Sequence, residues 1–472
     1  MRRVEGSEGE DGHVNRSARS RPNLPPGPFL VVGLARSGAA IARVLAERGE
    51  EVIGVDSGSP AEAAGLAEAG VEVSLGVDGT RQLDRARTVV KSPGVPQEAP
   101  AVDAARQRGI EVAGELELAW RLIPNRFCAV TGTNGKTTTT ELLGHLHRTA
   151  GEPVAVAGNV GTPLATLAGE VDPAATVVCE CSSFQLEDAS AFAPECAVLL
   201  NIAPDHLDRH RTLEAYLAAK LRIFANQGND DLAVYDGSAP ELRDRDLGGC
   251  ARRVRFCPLE APEGSADPDC ELSLRDGVIF AADEPLLRAE ELRLLGAHNI
   301  ANAMAAAAAA LAGGLPREAV AEGLRSFEGV PHRLERVGEV GGVAYVNDSK
   351  ATNVSSALAG IEAFDGGVHL ILGGSLKGES FERLADPVIA RCTACYLIGE
   401  ASERLAADLA PAVRAGVELQ ECGALESAVE AAAARAQPGE VVLLSPACAS
   451  FDAYDDFEER GEHFRSLVEA LR

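Results

Sequence analysis

The stretch NRFCAVTGTNGKTTTTELLGHLHRTAG, Asn125 to Gly151, limits the fold more than any other part of the chain. An apolar, β-branched run ends in a glycine-containing turn, and a Lys-Thr-Thr start opens a helix. Strand, glycine turn and helix in that order imply a parallel α/β layer with its ligand at the carboxyl edge of the sheet. Backbone N–H groups of such a turn and of the helix start can cradle phosphates. In TGTNGKTT the cradle is Gly132, Thr133, Asn134, Gly135 and Thr138, Lys136 reaches the β and γ groups of a nucleoside triphosphate, and the Thr137 hydroxyl can hold magnesium. The run departs from the strict GxxxxGK[ST] pattern, because position 130 is Val and the first glycine is Gly132.

The same rhythm of short apolar strands and Ala- and Leu-rich helices fills most of the 472 residues, too many for one core. It restarts three times, at PFLVVGLARSGAAIARVLAERG, at Asn125 and after VPHRLERV. The expected architecture is α/β in three domains: a Rossmann-like N-terminal domain over 27–120, a central phosphate-loop ATPase-type domain over 121–330 and a C-terminal Rossmann-like domain over 331–472. Residues 1–26 carry no apolar signal core and read as a disordered tail. Leu259 to Asp276, rich in Pro, Glu, Asp and Gly, reads as a loop. A formal charge of −27 disfavours nucleic acid or an anionic membrane as partner but not an anionic small substrate, since a few cations set the potential of a cleft. Eleven cysteines in apolar runs do not look like a disulfide framework, which points to a reducing, cytoplasmic setting. The CxxC of Cys392 and Cys395 reads as buried strand cysteines. The longest apolar helical run, made of alanine, is too short to span a membrane.

Further chemistry clusters after strand ends. GLARSG, Gly33 to Gly38, matches GxGxxG except at Ala35, and Asp56 ends the next strand. A dinucleotide site, another nucleotide site and a structural turn all remain open there. KSPGV, Lys91 to Val95, is a second tight turn, in which Lys91 reads as a solvated cation. ECSSFQLE places Glu180 at a strand end, and NIAPDHLDRH brings Asp205, His206 and Asp208; carboxylate and imidazole near a triphosphate suit magnesium, although singly each also suits a loop acid or a capping His. YLAAKLRIF is odd, because the chain has five lysines among 44 Lys plus Arg. On a helical wheel Lys220 falls among Leu213, Tyr216, Leu217 and Phe224, with Arg222 opposite. A cation there is a snorkelling stem, or is paired, neutral or chemically changed.

Taken together, TGTNGKTT, GNVGTP, ECSSFQLE, NIAPDHLDRH, YLAAKLRIF, GAHNIANAMAA, VPHRLE, NDSKATN, LILGGSLKG and SPACASFDAYDDFEERG resemble the Mur ligase family, in family order and from about Phe29 onward. NDSKATN and SPACASFD look like the D-glutamate-adding member. The resemblance implies an ATP-dependent amide ligase acting on UDP-N-acetylmuramoyl-L-alanine and D-glutamate through an acyl phosphate, in the cytoplasm, as a monomer with no nucleic acid or membrane partner. A folylpolyglutamate synthase-like ligase would share the loop and lysine but not those two stretches. An NAD-dependent oxidoreductase would leave the phosphate loop unexplained, and a non-catalytic scaffold would leave Lys136, Glu180, His206 and Lys220 without a use.

The resemblance also assigns residues. Lys136, His206, Lys220 and Asn159 are implied as catalytic. Lys220 is implied to be carbamylated by carbon dioxide and, with His206, to hold one of two magnesium ions; Thr137 and Glu180 would hold the other. Asn302, Arg333 and Asp348 would contact ATP. Ser37, Asp56, Ser92, Gly94, Asn159, Ser182 and Gln185 would contact the UDP substrate. The family pattern sets an arginine after the aspartate; here Ser57, Gly58 and Ser59 follow. Thr352, Lys377, Ser450 and Phe457 would bind D-glutamate, and Lys350 lies in the same neighbourhood.

Overall fold

In the computed structural model, residues 19–259, 269–376, 378 and 380–472 are described. They form three sheets, an α/β architecture throughout. The first has the order β3-β2-β1-β4-β5, from strands β1 Phe29–Val32, β2 Val52–Asp56, β3 Glu72–Leu75, β4 Thr88–Lys91 and β5 Glu111–Gly114. All four of its pairings are parallel. Gly33 has φ +89°, and a Cβ on Gly38 would stand 1.8 Å from the Gly33 carbonyl oxygen. The GLARSG glycines are therefore needed where the helix Arg36–Glu47 crosses the end of β1.

The second sheet has nine strands in the order β14-β13-β12-β11-β10-β9-β6-β8-β7. They are β6 Arg126–Thr131, β7 Val154–Gly158, β8 Thr176–Glu180, β9 Cys196–Leu199, β10 Leu232–Asp236, β11 Arg252–Cys257, β12 Leu272–Arg275, β13 Val278–Ala281 and β14 Glu284–Arg288. The last three form an antiparallel meander at one edge. The loop expected over 259–276 is thus corrected at its end: Leu272 and Leu274 are buried and pair in β12. Its centre, 260–268, lies outside the described residues.

The third sheet runs β15-β16-β20-β17-β18-β19, from β15 Glu335–Val340, β16 Val343–Asn347, β17 Val368–Gly373, β18 Cys392–Ile398, β19 Glu418–Gly423 and β20 Val441–Leu444. Only β15 is antiparallel to its neighbour. Successive residues feed opposite cores, Leu370 and Leu372 one, Ile371 the other. A parallel sheet covered on both faces has this pattern.

The chain divides into two compact units. One comprises residues up to 127 with 163–177 and 188–192; the other comprises the rest of the central region and everything from 193 onward. Two expectations change within the first. Residues 19–26 of the expected tail are ordered: the Arg21 guanidinium sits 4.6 Å over the Trp120 ring and donates to the Asn125 carbonyl at 2.6 Å. Residues 1–18 lie outside the described residues. Lys91 is not solvated but fully buried, with Nζ 2.8 Å from the Asp188 carboxylate and 3.0 Å from the Val95 carbonyl. One disulfide, Cys257–Cys270, is present where no disulfide framework was expected, and the other nine cysteines are free. Among the described residues no helix is long and apolar enough to cross a membrane.

Candidate active site

In the second unit the turn after β6 is held from outside. The Thr133 and Asn134 N–H groups donate to the Asn201 carbonyl (3.0 Å) and Oδ1 (2.9 Å), and Ala203 N–H donates to Thr133 Oγ1 at 2.9 Å. Gly132 (φ +156°) and Gly135 (φ +84°) take conformations that side chains resist. A Cβ on Gly135 would lie 2.1 Å from Asn302 Oδ1, so the glycine lets that amide approach the loop. Helix Lys136–Thr149 then starts with neither a side-chain cap nor an acidic residue in its first turn. Its first N–H groups and dipole are left for an anion.

Two lysines meet at this turn. Lys136 Nζ donates to the Gly132 and Thr133 carbonyls at 3.1 and 2.8 Å. Lys220 Nζ donates to the Gly132 carbonyl at 2.7 Å and lies 4.6 Å over the Tyr216 ring. Helix Leu213–Leu221 carries Lys220, Tyr216 and Leu217 on its buried face; Arg222 is exposed. Burial and then the neighbouring Lys136 charge push the Lys220 ammonium well below the usual lysine range, against the pull of Asp205 and Glu180. Lys136 is lowered chiefly by burial. Burial also pushes the Tyr216 phenol, which donates to Thr133 Oγ1 at 3.3 Å, up to about 12.

Glu180, at the end of β8, is 3% exposed and accepts from Asn159 Nδ2 at 3.1 Å; Asn159 N–H also donates to the Glu180 carbonyl. Thr137, Glu141, Glu180, His332, Lys350 and Phe457 border one cavity of about 340 Å³. A second, of about 170 Å³, is bordered by Asn134, Gly135, Asn302, Arg333, Asp348 and Lys350. Lys350 borders both, and burial lowers it to about 8. Asn201, His298 and Asn299 join the second cavity without having been singled out in the sequence. Asn302 donates to Asn299 Oδ1 at 3.0 Å, and only the i, i+3 spacing in AHNIAN could have announced that pair.

Other expected residues stand apart. His206 has φ +50°, is half exposed and keeps its ring beside Phe184 (4.9 Å) and the Asp205 carboxylate (3.5 Å). The buried imidazole of the NIAPDHLDRH segment is His210, bonded to Ser183 Oγ at 3.0 Å and Glu187 at 3.2 Å. The Asp208 side chain and Lys377 lie outside the described residues. Ser182 and Gln185 bond one another, with Ser182 Oγ 3.0 Å from Gln185 Oε1. Thr352 follows Lys350, Ser450 is buried, and Phe457 starts the last helix with Lys350 Nζ 5.3 Å over its ring. In the first unit, Asp56 accepts N–H bonds from Leu34 and Gly58, both at 2.7 Å. Ser92 is buried and bonds back to Val32, Gly94 is exposed in the turn, and Ser37 is half-buried in the helix start.

Among the described residues no three His, Cys, Asp or Glu side chains gather as a metal cage. Magnesium does not require one beside a triphosphate, where phosphate and water oxygens complete its shell. A hydroxyl and a carboxylate on one cavity, Thr137 and Glu180, are the hard oxygen donors that fit it.

Fold and site thus define a phosphate-loop α/β protein with two cavities beside the loop. Three family models match it: the Mur ligase MurD-like N-terminal domain over 28–114, the Mur ligase middle domain over 130–310 and the Mur ligase glutamate ligase domain over 332–448. The chain belongs to the Mur ligase family. It is 42% identical to the UDP-N-acetylmuramoylalanine--D-glutamate ligase of Acidobacterium capsulatum, over 94% of this chain and 96% of that protein. Likenamed proteins of Pelotomaculum thermopropionicum (43%; 94% and 97%) and Salinibacter ruber (42%; 93% and 97%) are similar to it as well. Among solved structures, UDP-N-acetylmuramate-alanine ligase MurC of Thermotoga maritima aligns with TM-score 0.59 at 18% identity, over 94% of this chain and 99% of that one. MurF ligase of Thermotoga maritima in complex with ADP aligns with TM-score 0.56 at 19% identity, over 89% and 95%. These two likenesses speak to the fold alone.

Proposed function

We propose that this chain joins D-glutamate to UDP-N-acetylmuramoyl-L-alanine at the expense of ATP, in cytoplasmic peptidoglycan precursor synthesis. The observation that carries the reading is the pair Lys136 and Lys220 on one phosphate-loop carbonyl, with Glu180 close enough to act on both. The chemical problem is an anionic, unreactive carboxylate that must meet a triphosphate. Lys136 and the uncapped helix start would neutralise and align the transferring phosphoryl group. The substrate carboxylate takes that group as an acyl phosphate, and the D-glutamate amine then displaces phosphate to form the amide.

Thr137 and Glu180 would hold one magnesium ion, with Asn159 fixing the Glu180 carboxylate; Lys220 and His206 would hold a second. When bound, the ions supply charge stabilisation between carboxylate and phosphate oxygens. For the second site, the neutral Lys220 amine adds to carbon dioxide, forming an N–C bond and releasing one proton, so that a carbamate anion replaces a cation. The depressed lysine supports this step, since only the free amine reacts. Asn302, Arg333 and Asp348 would bind adenine, ribose and phosphates; Thr352, Lys377, Ser450 and Phe457 the D-glutamate. Ser37, Asp56, Ser92 and Gly94 would take the UDP portion, with Asn159, Ser182 and Gln185 further along that substrate. We assign 27–120, 121–330 and 331–472 as the three corresponding domains of a monomer without nucleic acid or membrane partners.

The test is phosphate release from ATP with UDP-N-acetylmuramoyl-L-alanine and magnesium, offering D-glutamate, L-glutamate, L-alanine, L-lysine or diaminopimelate. Turnover with D-glutamate alone is expected. Turnover with another amino acid keeps the ligase chemistry and overturns the specificity; none with any overturns the reading.

A further inference from the structure

SPACASFDAYDDFEERG carries, one residue before its end, an arginine to which none of the roles above is given. Arg460 is 1% exposed and is among the largest fully buried side chains. Its Nε donates to Ser349 Oγ at 3.0 Å. One terminal nitrogen donates to the Ser349 and Cys448 carbonyls at 2.8 and 3.1 Å, the other to Ala449 and Gly373 at 3.2 and 3.4 Å. No carboxylate among the described residues forms an ion pair with it. The guanidinium therefore spends its planar fork on backbone oxygens and one hydroxyl.

Those acceptors belong to three loops, each following a strand of the third sheet. Ser349 follows β16 and precedes Lys350 and Thr352, Gly373 ends β17 on the way to Lys377, and Cys448 and Ala449 follow β20 and precede Ser450. Arg460 itself lies on helix Phe457–Ala470, whose first residue accepts the Ser349 hydroxyl at 2.8 Å. The loops are tight against the guanidinium: a Cβ on Gly374 would lie 2.1 Å from the Ala449 carbonyl oxygen and 3.0 Å from an Arg460 nitrogen. Thr352, Ser450 and Phe457, three of the residues assigned to D-glutamate, are thus tied, within a few positions of chain, to one side chain.

Fold stability alone does not account for this choice. A buried cation held mainly by neutral acceptors is costlier than an apolar filler of the same volume, and burial lowers Arg460 to about 10 against the pull of Cys448 and Asp452. We propose that Arg460 is the positioning residue of the amino-acid subsite, locking its three loops in register. The inference rests on the D-glutamate reading above.

The experiment compares the parent with Arg460→Lys, Arg460→Met and Ser349→Ala in the full chain, measuring KM for each of the three substrates, kcat and melting temperature. Arg460→Lys keeps the charge and loses the fork; its KM for D-glutamate is expected to rise about tenfold or more, with KM for ATP and the UDP substrate within about twofold. Ser349→Ala removes one acceptor and should raise the same KM by a smaller factor; it carries the test if neither Arg460 variant folds. Equal changes in all three KM values, or a kcat that simply tracks the folded fraction, would overturn the inference. A parent that does not turn over D-glutamate overturns the underlying reading, and the inference falls with it.

Discussion

Replacing Asp348 by Asn should make the ligand-free protein more stable at alkaline pH and a poorer binder of nucleotide. Asp348 follows β16 and is 5% exposed. Its Oδ2 accepts the Ser445 hydroxyl at 2.8 Å and its Oδ1 the Leu334 N–H at 3.2 Å. Burial outweighs these bonds and the Arg333 charge, raising the carboxyl to about 7 from 3.8. Between those two pH values the folded state holds a proton that the unfolded chain has lost, so stability falls as pH rises through the window. Below it both states are protonated and the penalty vanishes; above about pH 7 it is complete. A shift of about three pH units corresponds to a ceiling of about 4 kcal/mol. Asn keeps the carbonyl for Leu334 and turns its amide towards Ser445 Oγ, so the variant should gain roughly 1–4 kcal/mol at about pH 8 and almost nothing at about pH 4. Trp120 lies in the other unit, so its fluorescence would miss the effect. Hydrogen exchange of the β16 and β20 amides, followed through urea unfolding at both pH values, reports it directly. The KM for ATP should rise about tenfold as a charged acceptor is lost. A stability difference that does not vary with pH, or a variant less stable at about pH 8, would refute the reasoning.

Three other outcomes follow from named contacts. Lys220→Ala and Lys220→Arg should each lose about a hundredfold or more in phosphate release, and a small added carboxylate should partly restore the alanine variant; parental activity without rescue defeats the metal-ligand role. Gly135→Ala forces a side chain onto φ +84° and against Asn302, so ADP affinity measured by calorimetry should fall at least about tenfold; unchanged affinity would mean that the loop is not the phosphate cradle. Lys91→Met leaves the Asp188 carboxylate with Gln97 at 3.0 Å and Arg106 at 3.7 Å and should cost up to roughly 3–5 kcal/mol in the first unit, read by Trp120 fluorescence, with Asp188→Asn recovering most of it; a loss near zero would show that the pair is not the anchor of its turn.

What could be read in the sequence was local. A β-branched run, a glycine turn and a Lys-Thr helix start announce the phosphate loop because each feature acts within a few residues of the others. The helical wheel likewise put Lys220 with Tyr216 and Leu217, all buried. Phe224 is fully buried as well, although the helix stops at Leu221; the departure is Leu213, which opens the helix at an exposed edge. Lys91 was misread because its counter-charge, Asp188, arrives from a distant segment. β12 was hidden by the acidic, proline-rich composition before it, which outweighed the alternation of two leucines. Arg460 was invisible for another reason: its partners are mostly backbone carbonyls, and no residue type marks a carbonyl as an acceptor.

The two lysines on the Gly132 carbonyl give the carbamate proposed for Lys220 a physical motive. Both ammonium groups donate to one oxygen, and the Lys136 charge adds to the cost of charging Lys220. A triphosphate would draw Lys136 away from its own loop, since its carbonyl partners are weaker acceptors than phosphate oxygens. Lys220 has no comparable escape: it is buried, its helix is packed, and an aromatic ring covers it. Losing its proton would relieve the repulsion, and the proposed reaction with carbon dioxide would turn the same atom position into an anion, a hard oxygen donor for magnesium. Arginine would remain charged at any accessible pH and could do neither. A lysine rather than an arginine at this buried turn fits the one property that arginine lacks, a nitrogen that can be made neutral.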